Sequence, residues 1–384
     1  MIPAWKLRRE LVRVVKQIRS LPRRAIEPAL RWNHDRTRWT RIRVEGNGPP
    51  RTDKICVLLV YQPSGVPASI LTTCSYLSDK GYSVLLVANG GLRPQDRAVV
   101  APLVWRLMER PNFGYDFGGY RDAIHHLMRD GQSPRFLILM NDSIWFPMHT
   151  GQPVIERLEA SEFDVTGLFL HVPARNAVEK EMPRRPRRRK RAEHIESYVT
   201  IVPRHVFLSD PFVAFWQGYK QTSSKTLTIK RGEIGFSKAL SAAGMTIGAL
   251  SRRSLFLQAI VEKSDEFLEK SLRYAAYSDA EFSREGKELL ESRNDPDWRQ
   301  RALKHISTVV ARRRFNASFC WATEQIFATS FVKKHPDMLF QLNRMRFLEA
   351  MDNGDLECNN AAAIDEMRAR AERDRAAMNK DQPR

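Results

Sequence analysis

Between Asn112 and Pro147 the chain reads NFGYDFGGYRDAIHHLMRDGQSPRFLILMNDSIWFP, and its polar residues fall where binding groups would be needed. Asn141, Asp142 and Ser143 directly follow the apolar run Phe136 to Met140, which reads as a buried strand. Open α/β sheets bind ligands beyond the carboxyl ends of their strands, so this amide, carboxylate and hydroxyl are aimed at a cleft. Upstream, Gly114, Gly118 and Gly119 permit tight turns and a close approach of backbone to ligand, with Asn112 and Asp116 among them. Downstream, His194-Ile195-Glu196-Ser197-Tyr198 opens a further strand, and Gly232-Glu233-Ile234-Gly235 opens a helix just after Lys230 and Arg231. Each of these also has a plainer reading. Asp142 suits a turn or cap, Asp116 a helix cap, Glu233 an electrostatic cap of a first turn, His194 a structural hydrogen bond and Arg231 a solvated face. Neither a GxGxxG fingerprint nor a Walker loop is present, which argues against dinucleotide-dependent dehydrogenases and P-loop enzymes.

The elements that must position these residues alternate between strand and helix. Lys54 to Tyr61 is apolar on both faces, as in a covered parallel sheet. Helix is expected over Val66 to Lys80, strand over Tyr82 to Ala88, helix near Pro94 to Pro102, strand near Val104 to Met108 and a short helix before Phe136. Beyond the triplet come helix at Gln152 to Ala160, then strands at Asp164 to Leu170 and His194 to Val202. Phe212, Phe215, Trp216 and Tyr219 form an aromatic stripe best read as core. Helix at Gly232 to Ala243 and strand at Met245 to Leu250 close the pattern. The expected fold is an α/β domain with a mostly parallel sheet flanked by helices, spanning 54–252, with a basic loop at 175–192. Before it lies a basic amphipathic arm at 1–50, after it a helical region at 253–351, and last a tail at 352–384 expected to fray.

Composition narrows the partners. The 384 residues carry 63 Lys and Arg against 44 Asp and Glu, a formal charge of +19, which favours anionic surfaces or phosphorylated substrates. The basic residues gather in the arm, where Leu7, Leu11, Val14, Val15 and Ile18 share one side, and in the run Arg184 to Arg191. Such an arm could lie on an anionic leaflet. Few aromatics interleave with the basic residues and no RNA-binding signature occurs, which argues against nucleic acid. Cys56, Cys74, Cys320 and Cys358 form no CxxC pair, so neither a zinc site nor a disulfide framework is expected. With no apolar block long enough to cross a bilayer and no secretory signal, the expected location is the cytoplasm, peripheral to the inner face of the membrane.

Taken together, Asn112 to Gly118, Asn141-Asp142-Ser143, His194 to Tyr198 and Gly232 to Gly235 resemble, in order and spacing, the rhamnan synthesis protein F family. The resemblance runs from about Lys54 to the early 340s, and implies a bacterial glycosyltransferase-like protein of polysaccharide or lipopolysaccharide assembly. It implies a GT-A-like nucleotide-sugar-binding domain, in which a strand usually ends in an Asp-x-Asp motif. Here the triplet offers one carboxylate, so a Mg²⁺ or Mn²⁺ ion would rest on Asp142 with phosphate oxygens and waters, or cationic side chains would take its place. Asn112, Gly114, Asp116, Gly118, Asn141, Asp142 and Ser143 would bind a nucleotide-diphosphate donor such as dTDP-rhamnose, and His194, Ser197, Tyr198 and Arg231 would contact donor or acceptor. Glu233 would be the general base of an inverting transfer, with Asp116 as second choice, and the acceptor a lipid-linked glycan. The rival class is a catalytically silent glycan-assembly protein or a basic lipid- or nucleic-acid-binding module, which would need no saturable nucleotide-sugar binding.

Overall fold

The computed structural model describes residues 26–46, 48–172 and 193–380. The first 25 residues of the basic arm and the Arg184 to Arg191 run therefore lie outside the described residues. Strands are β1 Arg43–Glu45, β2 Lys54–Val60, β3 Ser83–Asn89, β4 Arg106–Arg110, β5 Phe136–Asn141, β6 Ile144–Trp145, β7 Val165–His171, β8 His194–Ile195, β9 Val199–Pro203, β10 Ile247–Ser251 and β11 Val332–Lys333. Nine of them form one sheet, ordered β1-β4-β3-β2-β5-β9-β7-β10 with β8 beside β7, while β11 pairs with β6. Parallel pairing links β4, β3, β2 and β5, and also β7 and β10. β9 runs antiparallel to both β5 and β7, and β1 and β8 are also reversed. The α/β architecture expected from the alternating pattern, with a mostly parallel sheet and a helical C-terminal region, is thus the one the chain adopts.

Alternation along the strands feeds two cores. On β2, Cys56, Leu58 and Val60 face one core while Ile55, Val57 and Leu59 face the other. The first core is covered by α2 (Ala68–Asp79) and by the C-terminal helices, through Phe256, Phe315 and Phe319. The second is covered by α1 (residues 26–41), α4 (Tyr115–Arg129), the helix Asp210–Gly218 and the helix Ile234–Ala242. The aromatic stripe belongs to that second core, with Phe212 and Trp216 fully buried. All four cysteines are free thiols. Among the described residues no helix is long and apolar enough to cross a membrane.

Two elements depart from expectation. The run His194 to Val202 is not one strand: it breaks at Glu196, Ser197 and Tyr198, leaving β8 on β7 and β9 on β5. The predicted frayed tail is instead the helix Ala361–Lys380. Ala363, Met367 and Ala371, each four apart, bury one face of it. Its Glu366 accepts hydrogen bonds from the Ser69 N–H (2.9 Å), the Ser69 hydroxyl (2.6 Å) and the Trp145 indole N–H (3.0 Å). Small side chains let the helix approach α2 closely, so little apolar bulk is required. Glu366→Ala should lower stability by about 1 to 3 kcal/mol in urea denaturation, because the buried donors on Ser69 and Trp145 lose a charged acceptor. An unchanged midpoint would mean that this helix does not hold the start of α2.

Candidate functional site

The strand order reverses between β2 and β5: from β2 the chain adds β3 and β4 on one side, and β5 starts the other. In open α/β sheets that switch point is where ligands bind. Its rim holds Tyr61 and Gln62 beyond β2 and the triplet at the end of β5. The Asp142 N–H donates to the Leu59 carbonyl (3.1 Å), while its carboxylate accepts from the Tyr61 N–H (2.8 Å) and the Gln62 amide (2.7 Å). Burial pushes the Asp142 carboxyl above its usual range, with these hydrogen bonds and Lys334 opposing it. Asn141 is committed internally, since its carbonyl takes the Ser143 N–H and hydroxyl (3.1 and 2.5 Å) and its amide donates to the Ser197 carbonyl (3.1 Å). Asp142 and Ser143 are the half-buried members of the triplet.

The loop before α4 is shaped by sterics and by one buried arginine. Gly114 adopts a positive φ of +88°, and a Cβ on Gly118 would come within 2.3 Å of the Phe113 carbonyl oxygen. Arg110, on β4, donates to Asp122 (2.8 Å) and to the Phe113 carbonyl (2.8 Å), and so ties the loop to the sheet. Asp122 also meets His34 of α1 at 3.1 Å. Burial alone would raise the Asp122 carboxyl, but Arg110 and His34 outweigh it and hold it well below the usual range. Tyr115 opens α4 with φ +54°, a strained conformation for a residue bearing a bulky side chain, and its ring is exposed. Asn112 is exposed at the loop's start.

Ser197 gathers the remaining pieces. Its hydroxyl donates to Asp116 (3.1 Å) and its N–H to Glu233 (3.0 Å), while its carbonyl accepts from Asn141 and from the Tyr120 hydroxyl (3.0 Å). Glu233 stands in a π-turn, Ile229–Glu233, and its other oxygen lies 3.1 Å from His194 Nε2. That turn needs Gly232, where any Cβ would come within 2.3 Å of the Phe117 ring. Two carboxylates from distant blocks are thereby fastened to one residue. Burial, then the nearby Glu233 charge, pushes the Asp116 carboxyl up to about 6. Arg231 reaches elsewhere, donating to the Lys220 carbonyl at 3.4 Å.

Beside Tyr198 and the triplet stand residues that the sequence reading did not name as site residues: His171, Glu196, Arg314, Lys333 and Lys334. Buried Glu196 takes Lys333 (2.5 Å) and Arg314, and although burial acts to raise it, these cations hold it at about 2. His171 lies beside it, lowered to about 4 by burial and by Arg314. Tyr198 is buried beneath Lys333, and its hydroxyl has no hydrogen-bond partner among the described residues. Lys333 ends β11 opposite Ile144, and Lys334, the next residue, donates its N–H to the Ser143 carbonyl at 2.8 Å. They lie too far along the chain to be linked to Asp142 by motif.

A divalent cation fits this donor set poorly. One oxygen of Asp142 is already engaged twice, Asn141 is spent internally, and among the described residues no group of three or more His, Cys, Asp or Glu could hold a metal.

An α/β sheet with polar groups converging on its switch point defines the class to which the chain's likenesses can now be compared. Residues 84–252 match the model of the rhamnan synthesis protein F family, the stretch that contains Asn112 to Gly118, Asp142, Ser197 and Glu233. The uncharacterized protein y4gN of Sinorhizobium fredii (strain NBRC 101917 / NGR234) is 30% identical over 250 residues. That alignment covers 65% of this chain, and the chain spans 62% of that relative's length. Among solved structures, the mannosyltransferase PcManGT from Pyrobaculum calidifontis, in complex with GDP-Man and Mn²⁺, is 8% identical. It covers 76% of this chain and 85% of its own, at a TM-score of 0.33, a likeness too slight to carry conclusions about chemistry.

The raised Asp116 has a consequence for stability. A carboxyl whose folded pKa exceeds its unfolded value binds its proton more tightly in the native state, so stability falls as pH climbs from about 4 to about 6. Asp116→Asn should therefore be more stable than the parent at pH 7.5, by on the order of 1 to 3 kcal/mol, with the difference vanishing near pH 4. Urea titrations across pH check this. A variant no more stable than the parent at pH 7.5 would mean that Asp116 is not held in an unfavourable ionised state.

Proposed function

We propose that the chain is a glycosyltransferase that takes its sugar from a nucleotide-diphosphate donor bound across the β2/β5 switch point, in a GT-A-like manner. The observation that carries this reading is the meeting of Asp116 and Glu233 on Ser197, beside Asp142, at the carboxyl end of the sheet. Asn112, Gly114, Gly118, Asp142 and Ser143 line the donor side, while Asn141 holds the triplet in place. The acceptor hydroxyl oxygen forms a bond to the anomeric carbon as the bond to diphosphate breaks, and the departing phosphate oxygen keeps that electron pair. Glu233 takes the hydroxyl proton. The Ser197 N–H and His194 each hold one of its oxygens and so fix its orientation toward the crevice. Asp116, raised to about 6 by burial and then by the Glu233 charge, positions donor hydroxyls and is the second candidate. One base and one displacement make the transfer inverting.

The matched family's description, rhamnan synthesis protein F, supports rhamnose as the sugar and a growing polysaccharide as the acceptor, and we take that cell-surface polysaccharide to be lipid-linked. Peripheral attachment to the inner face of the membrane is supported by the +19 charge and by α1, which exposes Ile26 (53%), Trp32 (62%) and Arg36 outside its docked face. A Mg²⁺ or Mn²⁺ ion, were one recruited, would have Asp142 as its carboxylate and would help neutralise the diphosphate.

A panel of dTDP-, UDP- and GDP-sugars with lipid-linked acceptors, read by mass spectrometry of the product, tests the activity. Transfer from none of them, together with no saturable donor binding, would return the chain to the silent or binding class. Glu233→Gln should lower turnover by at least about 10²-fold with little change in donor affinity. Turnover within a few-fold of the parent would remove Glu233 as the base. Asp142→Ala should abolish donor binding while leaving the melting temperature nearly unchanged, and donor binding equal to the parent's would remove Asp142 from the site.

A further inference from the structure

Lys334 is joined to the triplet through the backbone: its N–H donates to the Ser143 carbonyl at 2.8 Å, and β11 is registered on β6 immediately after that triplet. Its ammonium lies 5.3 Å from the centre of the Trp145 ring. Asp142 and Glu366 are its electrostatic neighbours, and burial lowers its pKa against their pull. Yet among the described residues its ammonium has neither a hydrogen-bond acceptor nor an ion-pairing oxygen. The other cations nearby are spoken for, Lys333 and Arg314 by Glu196 and Arg110 by Asp122. Glu366 is likewise occupied by Ser69 and Trp145, and Asp142 by Tyr61 and Gln62. This half-buried ammonium keeps contact with solvent and, among the described residues, has its three donors free of protein oxygens, so it is available to an anion that enters the crevice. The place where it waits is the rim of the switch-point crevice, where the donor set for a divalent cation is deficient.

We propose that Lys334 receives the diphosphate of the nucleotide donor, filling the role of a metal ion, so that this chain binds its donor without one. The inference rests on the glycosyltransferase reading above. As the bond from the anomeric carbon to the diphosphate breaks, its electron pair stays on the phosphate oxygen, and the fixed ammonium offsets the charge that builds there. The proton remains on lysine throughout. Lysine suits the task because it is a compact charge on a long stem, with three donors free to follow the phosphate as it departs. Delivery by β11, from the C-terminal helical region, makes that region part of the site.

Calorimetric titration of the full chain with UDP, dTDP and GDP, and with the matching nucleosides, in EDTA and again in Mn²⁺, tests this. The nucleoside diphosphate that binds tightest should do so in EDTA within about threefold of its affinity in Mn²⁺, and Lys334→Met should weaken it at least about tenfold while the nucleoside binds as before. Lys334→Arg should recover most of the loss. Binding that appears only with Mn²⁺, or a Lys334→Met variant equal to the parent, overturns the proposal and leaves the glycosyltransferase reading standing. Binding of no nucleotide under either condition overturns both. The EDTA comparison uses the unaltered chain, so it decides the matter even where Lys334→Met fails to fold.

Discussion

The site depends on Ser197 having every polar group of its backbone and side chain taken by a different part of the chain. Its N–H holds Glu233, its hydroxyl holds Asp116, and its carbonyl holds Asn141 and Tyr120. Three blocks, the start of α4 with Asp116 and Tyr120, the triplet with Asn141, and the π-turn with Glu233, are thereby fixed within hydrogen-bonding reach of one residue. For Ser197 to do this, the strand through it has to break, because a continuous β-ladder would spend its N–H and carbonyl on neighbouring strands. The break is compensated on both sides: β8 stays on β7, and β9 crosses to β5. Burial raises Asp116 first, and bringing a second carboxylate, Glu233, to the same serine raises it further. Residues held in such arrangements are the usual currency of functional sites, since packing alone would not select them.

Around this centre the molecule divides its work between two layers. The second core and the buried Arg110–Asp122–His34 cluster fix the loop at Asn112 and the start of α4 from one face of the sheet. The C-terminal helices pack on the other face and send Arg314, Lys333 and Lys334 back to the crevice. Glu366 ties their last helix to α2, which begins beside the switch point. Damage to the C-terminal region should therefore be felt at the crevice, although that region lies outside the stretch matching the family model.

Much of this was legible in the residues. Strands apolar on both faces, such as Lys54 to Val60, can only belong to a covered sheet, and the polar triplet after Phe136 to Met140 marked its reactive edge. The stripe of Phe212, Trp216 and Tyr219 gave a core helix by spacing alone. What the pattern missed was decided by tertiary contacts. Glu196-Ser197-Tyr198 has strand-like neighbours and nothing local that forces a break; only the convergence of Asp116, Glu233 and Asn141 does so. Lys333 and Lys334 read as ordinary surface residues, because a two-residue strand has no periodicity to detect. The last helix was open to detection, since Ala363, Met367 and Ala371 recur every four residues in a stretch of strong helix formers, but the absence of large apolar side chains hid it.

The coupling of Asp116 to Glu233 through Ser197 is the claim on which the rest stands, and carboxyl carbon-13 NMR titration of Asp116 measures it directly. In the parent, Asp116 should titrate near pH 6, and in Glu233→Gln its midpoint should fall toward the ordinary aspartate range, since one of the two causes of the rise has been removed. A midpoint near 4 in the parent, or one that does not move when Glu233 is neutralised, would contradict the account, because the two carboxylates would then not share a site.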